Sequence, residues 1–253
     1  METEIQVVIP SRGRSASVGK AAALFLDPII CIDETEFDDY RKAAPHLRLL
    51  AHPKEVNVLQ TIRQWILDNV KAPVIFQCDD DVHNVYSMVG YRVRKITDPR
   101  DIQAIIYHAA LNCRDAGTIL YFFAHVRNPV EFLTPQPFRF VSPPVGCAMG
   151  IWRREFNRSI RFDPGFQHAG LDAALRIMHK YRIIWCDTRF CFQPNTHLSA
   201  PGGLSGLRTV DGLAHDDALL KKRFGAAISI QRYKRAQGRI GTKTVHIRLH
   251  VDR

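Results

Sequence analysis

The chain has 253 residues, with 35 Lys and Arg against 25 Asp and Glu, a net charge of +10; 46% of it is hydrophobic and 24% charged. That is enough for one large α/β domain with the composition of a folded soluble protein, and no apolar run approaches the roughly 20 residues of a membrane span. Met1 to Ile5 shows no basic stretch leading into an apolar one, so no secretory leader is read and a cytoplasmic location is expected.

Ile5 to Ile9 reads as a β-branched strand that stops at Pro10-Ser11-Arg12-Gly13-Arg14, a loop signal, before an Ala-rich helical stretch to about Leu26. Strand, Ser/Gly loop and helix in that order present backbone amides and basic side chains to phosphate or a nucleotide. Pro28 to Ile32 predicts a second strand ending at Asp33-Glu34, Phe37 to Ala44 a helix, and Arg48 to Leu50 a short third strand. Asn57 to Val70 is an amphipathic helix, with Val58, Ile62, Trp65, Ile66 and Asn69 near one stripe and Arg63 on another face. Strands alternating with helices argue a mainly parallel sheet.

The next strand, Val74-Ile75-Phe76, runs to three consecutive acids, Asp79, Asp80 and Asp81. Adjacent carboxylates repel one another, and a hard divalent cation, Mg2+ or Mn2+, is their natural partner because it prefers carboxylate oxygens and leaves positions open for phosphates. On an extended segment Asp79 and Asp81 point one way and Asp80 the other. The plain alternative, a solvated acidic turn, is weakened by the position at the end of a buried strand, where ligands of open α/β sheets collect.

Asp98 to Asp115 predicts a long helix with Ile102, Ile105, Ile106, Ala109 and Leu111 inward, and Thr118 to Phe123 and Phe138 to Val141 predict strands. The small, apolar run from Pro143 to Trp152 looks like a wall for a flat group. Asp163 to Gly170 is a loop, Leu171 to Lys180 a helix with Asp172 at its start, and Ile183 to Cys186 a strand followed by Phe190 to Gln193. Pro201 to Arg208 is a glycine-rich connector or a lid over phosphates. The six cysteines lack CxxC spacing and read as reduced core residues, with a zinc site at Cys186 and Cys191 as the alternative.

From Gln231 to Arg253 seven Lys or Arg face one Asp, a net of +6 in the last 23 residues. Arg232, Tyr233, Lys234, Arg235, Arg239 and Lys243 form the footprint expected for a nucleic-acid backbone, the alternative being a solvated strand pair.

VVIPSRGR after the first strand, DDD after a later one, and Asp172 at a helix start together resemble a GT-A glycosyltransferase over residues 5 to about 225. The expected fold is thus α/β and GT-A-like (Rossmann-like), a single domain over 1–226 with a basic segment at 227–253. VIPSRGR with DDDV, GLDAAL and NTHLSAPGGLSGLRT is also similar to the phage TET-associated glycosyltransferases of hydroxymethylated DNA pyrimidines. That resemblance implies transfer from a UDP-sugar, UDP-glucose above all, to 5-hydroxymethylcytosine or 5-hydroxymethyluracil in DNA, in a host cytoplasm. It implies donor contacts at Pro10, Ser11, Arg12, Arg14, Asp33, Arg63, Asp79, Asp80 and Arg208, with Lys221 or Arg223 as further phosphate candidates. Metal ligation falls to Asp81, Asp79 and His197, and Asp172 matches the general base of inverting members, although Leu-Asp stands where Glu-Asp is common and a helix cap is the other reading. Trp152, Phe166 or Tyr233 are candidates to stack on the acceptor base. Competing readings are a glycan, lipid or protein acceptor, a nucleotidyltransferase, and a nonenzymatic DNA-binding protein.

Overall fold

The computed structural model describes residues 3–89, 92–125, 127, 137–140, 146–166, 169–195, 210–231 and 244–247. Predictions for His197, Arg208, Arg232, Tyr233, Lys234, Arg235, Arg239 and Lys243 lie outside the described residues, as do Pro143 to Val145 and the glycine-rich connector.

Ten strands form one sheet: β1 (Ile5–Pro10), β2 (Ile29–Asp33), β3 (Arg48–His52), β4 (Val74–Cys78), β5 (Val82–Ser87), β6 (Arg94–Ile96), β7 (Leu120–Ala124), β8 (Phe138–Arg139), β9 (Ala148–Trp152) and β10 (Trp185–Pro194). Their order is β3-β2-β1-β4-β9-β7-β10-β5-β6, with β8 against β10. β3, β2, β1 and β4 run parallel, and β7 is parallel to β10. β9 runs antiparallel between β4 and β7, and β5, β6 and β8 add antiparallel pairs. The chain builds outward from β1 to β3, then returns to set β4 on the other flank of β1. The carboxyl ends of β1, β2 and β4 therefore open onto one crevice where the strand order reverses.

Side-chain alternation sorts the core into two layers. Val7, Ile9, Ile30, Ile32, Val74, Phe76, Tyr121 and Phe123 pack on one face with α1 (Val18–Ala22) and α4 (Pro99–Asp115). Val8, Cys31, Ile75, Leu120, Phe122 and Ile151 pack on the other with α3 (Leu59–Asn69), α5 (Arg153–Ser159) and α6 (Ala169–Tyr181). β4 is covered on both sides and all five of its residues are buried, which is why it opens on the apolar run Val74-Ile75-Phe76. α2 (Phe37–Ala43) matches expectation closely, and Asp98 caps α4 by accepting from Arg100 N at 2.8 Å.

Several expectations are corrected. From Ala148 to Trp152 the predicted wall is β9, a central strand, and the flat group against that part is the protein's own Tyr121: a Cβ on Gly150 would lie 1.8 Å from Tyr121 Cζ. Gly150→Ala is accordingly expected to destabilise the fold by at least the upper end of the about 1–3 kcal/mol typical of overpacking, measured by denaturant unfolding. Ile183 to Gln193 is not two strands but one ten-residue strand, β10, whose register against β7 shifts between Asp187 and Cys191. The helix predicted to run to Leu26 is five residues long.

Four further elements escaped the sequence reading: β5, β6, α5 and α7 (Val210–Phe224). β11 (Ile228–Gln231) pairs antiparallel with β12 (Thr244–Ile247), so the basic segment contains a hairpin. Phe166, Leu175, Leu220 and Ile228 form a small core joining α6, α7 and β11. Among the described residues no helix is long and apolar enough to cross a membrane.

Candidate active site

β4 hands directly into a turn. Asp79 N donates to Cys147 O at 2.7 Å, and Val82 N donates to Asp79 O at 3.1 Å, launching β5. The acids therefore splay around a turn instead of alternating as an extended strand, and each meets a different neighbourhood.

Asp80 is tied to the loop after β1. Its Oδ2 accepts from Ser11 Oγ at 2.6 Å, and its Oδ1 pairs with Arg14 Nη1. Ser11 Oγ lies 2.8 Å from the Tyr40 hydroxyl, which accepts from Arg14 N at 3.1 Å. Ser11, Arg14 and Asp80 are thus brought together, with Tyr40 of α2 as a member that no spacing signal announced. Gly13 holds a left-handed φ of 64°, and its amide donates to Glu36. Pro10 closes β1, whereas Arg12 turns aside and donates to Asn57 O at 3.1 Å.

Asp79 faces a buried cation. Arg63 Nη2 donates to Asp79 Oδ1 at 3.0 Å and to Gly146 O at 2.6 Å, and its side chain is only 3% exposed. The expectation that Arg63 lies off the buried face of α3 is corrected: it supports the acids from beneath. Burial, offset in part by Arg63 and reinforced by Asp81 and Asp80, pushes the Asp79 carboxyl up to about 6. Burial and the charge of Asp80 likewise raise Asp81, against the pull of Arg14. Asp81 Oδ1 is buried without a hydrogen-bond partner, and its carbonyl accepts from Asn195 N at 2.7 Å.

An acid with a higher pKa folded than unfolded binds its proton more tightly in the native state. The metal-free protein is therefore expected to lose stability as pH rises from about 4 to about 6. Added Mn2+, which takes the ionised form, should raise Tm more above that range than below it. Thermal melts check both, and Asp79→Asn should flatten both responses.

Asp33 ends β2 and caps the turn that follows. Burial pushes its carboxyl up, but hydrogen bonds from Thr35 N at 2.9 Å and Thr35 Oγ1 at 2.7 Å, with His52 and Arg12 nearby, hold it below the usual range.

Asp172 lies in the first turn of α6, three residues after Ala169, so it is not the helix cap. It is 1% exposed and paired with Arg176 at 2.8 Å and with Arg223 of α7. Arg223 also pairs with Asp163 at 2.9 Å and lies 5.0 Å from the Phe166 ring centroid. Arg223 is thereby committed to carboxylates, and Phe166, 1% exposed, is core rather than a platform for a base. Trp152 pairs with Val74 at the start of β4, the end away from the acids, and donates to Ala110 O, so it too is removed from the crevice. Lys221 is exposed on α7. A Cβ on Gly170 would come within 3.8 Å of Arg63 Nη1, so the start of α6 adjoins the cation that holds Asp79.

All six cysteines are buried and none forms a disulfide. Among the described residues no three His, Cys, Asp or Glu side chains converge on one point. Asp79 and Asp81 nevertheless fit a hard cation: two crowded carboxylates with raised pKa values, one bearing an orphaned oxygen, suit an ion that fills its remaining positions with phosphate and water.

No protein-family model matches the chain, and no curated protein matches it in sequence. Solved structures do match in fold. S. aureus TarS 1–349 in complex with UDP-GlcNAc is 10% identical, with 89% of this chain and 68% of that chain covered and a TM-score of 0.56. The mannosyltransferase PcManGT from Pyrobaculum calidifontis, in complex with GDP-Man and Mn2+, is 11% identical over 86% of this chain and 64% of its own, with a TM-score of 0.56. Glucosyl-3-phosphoglycerate synthase from Mycobacterium tuberculosis, in complex with Mn2+, UDP and glucosyl-3-phosphoglycerate, is 13% identical over 97% and 87%, with a TM-score of 0.55. The chain spans 57% and 68% of the TarS chain in two structures and 64% of the mannosyltransferase chain. Likeness at this identity speaks to architecture, and that architecture is the GT-A fold.

Proposed function

We propose that the chain is a metal-dependent glycosyltransferase that moves a sugar from a nucleotide-sugar donor, a UDP-sugar first, to a hydroxyl acceptor. The observation that carries the reading is the set of three acids at the carboxyl end of β4, facing the loop after β1 across the crevice where the strand order reverses. Asp79 and Asp81, with His197 as the sequence suggests, would hold Mn2+ or Mg2+, which supplies charge neutralisation at the departing diphosphate. Asp80 fixes Ser11 and Arg14 against the acids, so the loop that meets the donor nucleotide is positioned before the donor arrives. Asp172 is the candidate to take the acceptor proton, with inversion at the new bond; its pairing with Arg223 requires that guanidinium to swing aside before the carboxylate is reached.

For the acceptor we infer DNA bearing a hydroxymethylated pyrimidine. The support is the sequence resemblance, together with a surplus of +10 of which +6 lies in the last 23 residues. The likenesses in fold bear on no acceptor. Mass spectrometry of nucleosides from hydroxymethylcytosine and hydroxymethyluracil DNA, incubated with the protein, Mn2+ and a panel of UDP-sugars, tests the reading. A hexose-sized gain on one base establishes donor and acceptor together, whereas metal-dependent donor hydrolysis without such a gain moves the acceptor away from DNA. Removal of the chain after Ala227 is expected to weaken DNA binding far more than UDP binding, as read by titration of each ligand.

A further inference from the structure

Immediately beyond Asp81 a recess of about 200 Å3 opens between the start of β5 and the end of β10, lined by His83, Asn84, Gln193, Pro194 and Asn195. It abuts the acids, since Asn195 N donates to Asp81 O at 2.7 Å. Asn84 and Gln193 are register partners on the antiparallel ladder, so their side chains leave the same face of the sheet. The register shifts between Gln193 and Pro194, and such an irregularity re-aims side chains beside a site.

The lining has a definite chemistry. Three carboxamides and an imidazole each donate and accept, as a sugar hydroxyl does, and among the described residues no Lys, Arg, Asp or Glu lines the recess to select an ion. Among the described residues no Phe, Tyr or Trp lines it to stack on a base. Resting on the glycosyltransferase reading, we propose that this recess receives the glycosyl group of the donor and reads its hydroxyls through Asn84, Gln193 and Asn195. A glycosyl group is one bond from the diphosphate assigned to Asp79 and Asp81, and Asp81 leads straight into the recess.

The test is calorimetric titration, with Mn2+, of UDP and of UDP-glucose, UDP-galactose and UDP-N-acetylglucosamine into the wild type, Gln193→Leu and the isosteric Asn84→Asp. The expected result is UDP affinity within about twofold of wild type and UDP-sugar affinity about tenfold weaker, the cost of one or two unmade hydrogen bonds. Equal weakening of UDP and UDP-sugar, or no weakening of either, would overturn the assignment, as would variants that raise only the acceptor KM. A wild type that binds none of these nucleotides with Mn2+ would instead remove the glycosyltransferase reading itself, and the recess assignment with it.

Discussion

Asp81→Ala is expected to abolish Mn2+-dependent UDP binding and reduce sugar transfer by at least about a thousandfold, the scale on which catalytic electrostatics operate. The carboxylate sits in a crowded, partly buried site with one oxygen unpartnered, so no protein group can take over what a cation finds there. The same substitution should leave the fold intact, because Asp81 carries no side-chain bond that holds elements together, unlike Asp80. Asp80→Ala, which removes the carboxylate that ties Ser11 and Arg14 to the acids, is the informative contrast. Isothermal titration of UDP with and without Mn2+ measures the effect, and binding that persists in Asp81→Ala at wild-type strength would sink the metal assignment. A nonenzymatic DNA-binding protein would show no such dependence.

Asp172→Asn is expected to lower transfer by several orders of magnitude while leaving UDP-sugar affinity unchanged, the pattern of a group used only in the chemical step. Asparagine keeps the shape but cannot take a proton, and it also loses its attraction for Arg176 and Arg223. The two consequences separate experimentally: a single-turnover rate reports the first, a thermal melt the second. Full activity with a lowered Tm would assign Asp172 to holding α7 and leave the proton to another group.

The parallel half of the fold was legible because physics writes it locally. β1, β2 and β4 are covered on both faces, so their apolar runs stand out, and each is punctuated by Pro10-Ser11, Asp33-Glu34 or the triple acid. β5 was hidden because its buried positions, Val82, Val85 and Ser87, do not alternate strictly and His83 and Asn84 stand between the first two. α5 is short and charged, and among its described side chains only Phe156 is buried. Within the site, Asp79 to Asp81, Ser11 and Arg14 were readable from type and order. Tyr40, which joins that cluster from 29 residues away, was not, since only the folded chain brings α2 over the loop after β1. Arg63 was set on another face of α3 from the apolar stripe; its burial could not be read from the sequence, because the half-buried carboxylate of Asp79 that partners it comes from a different element.

Arg223 also constrains how this chain can vary. Its guanidinium, reaching from α7 to Asp172 and Asp163, makes α7 part of the electrostatic balance at the start of α6. A recombination event that exchanged the C-terminal segment upstream of α7 would leave Asp172 a buried anion short of one counter-charge. Exchange after Phe224 would leave that pairing whole and would alter α6 only through the apolar contact of Ile228 with Leu175 and Leu220, which another apolar residue at that position can restore.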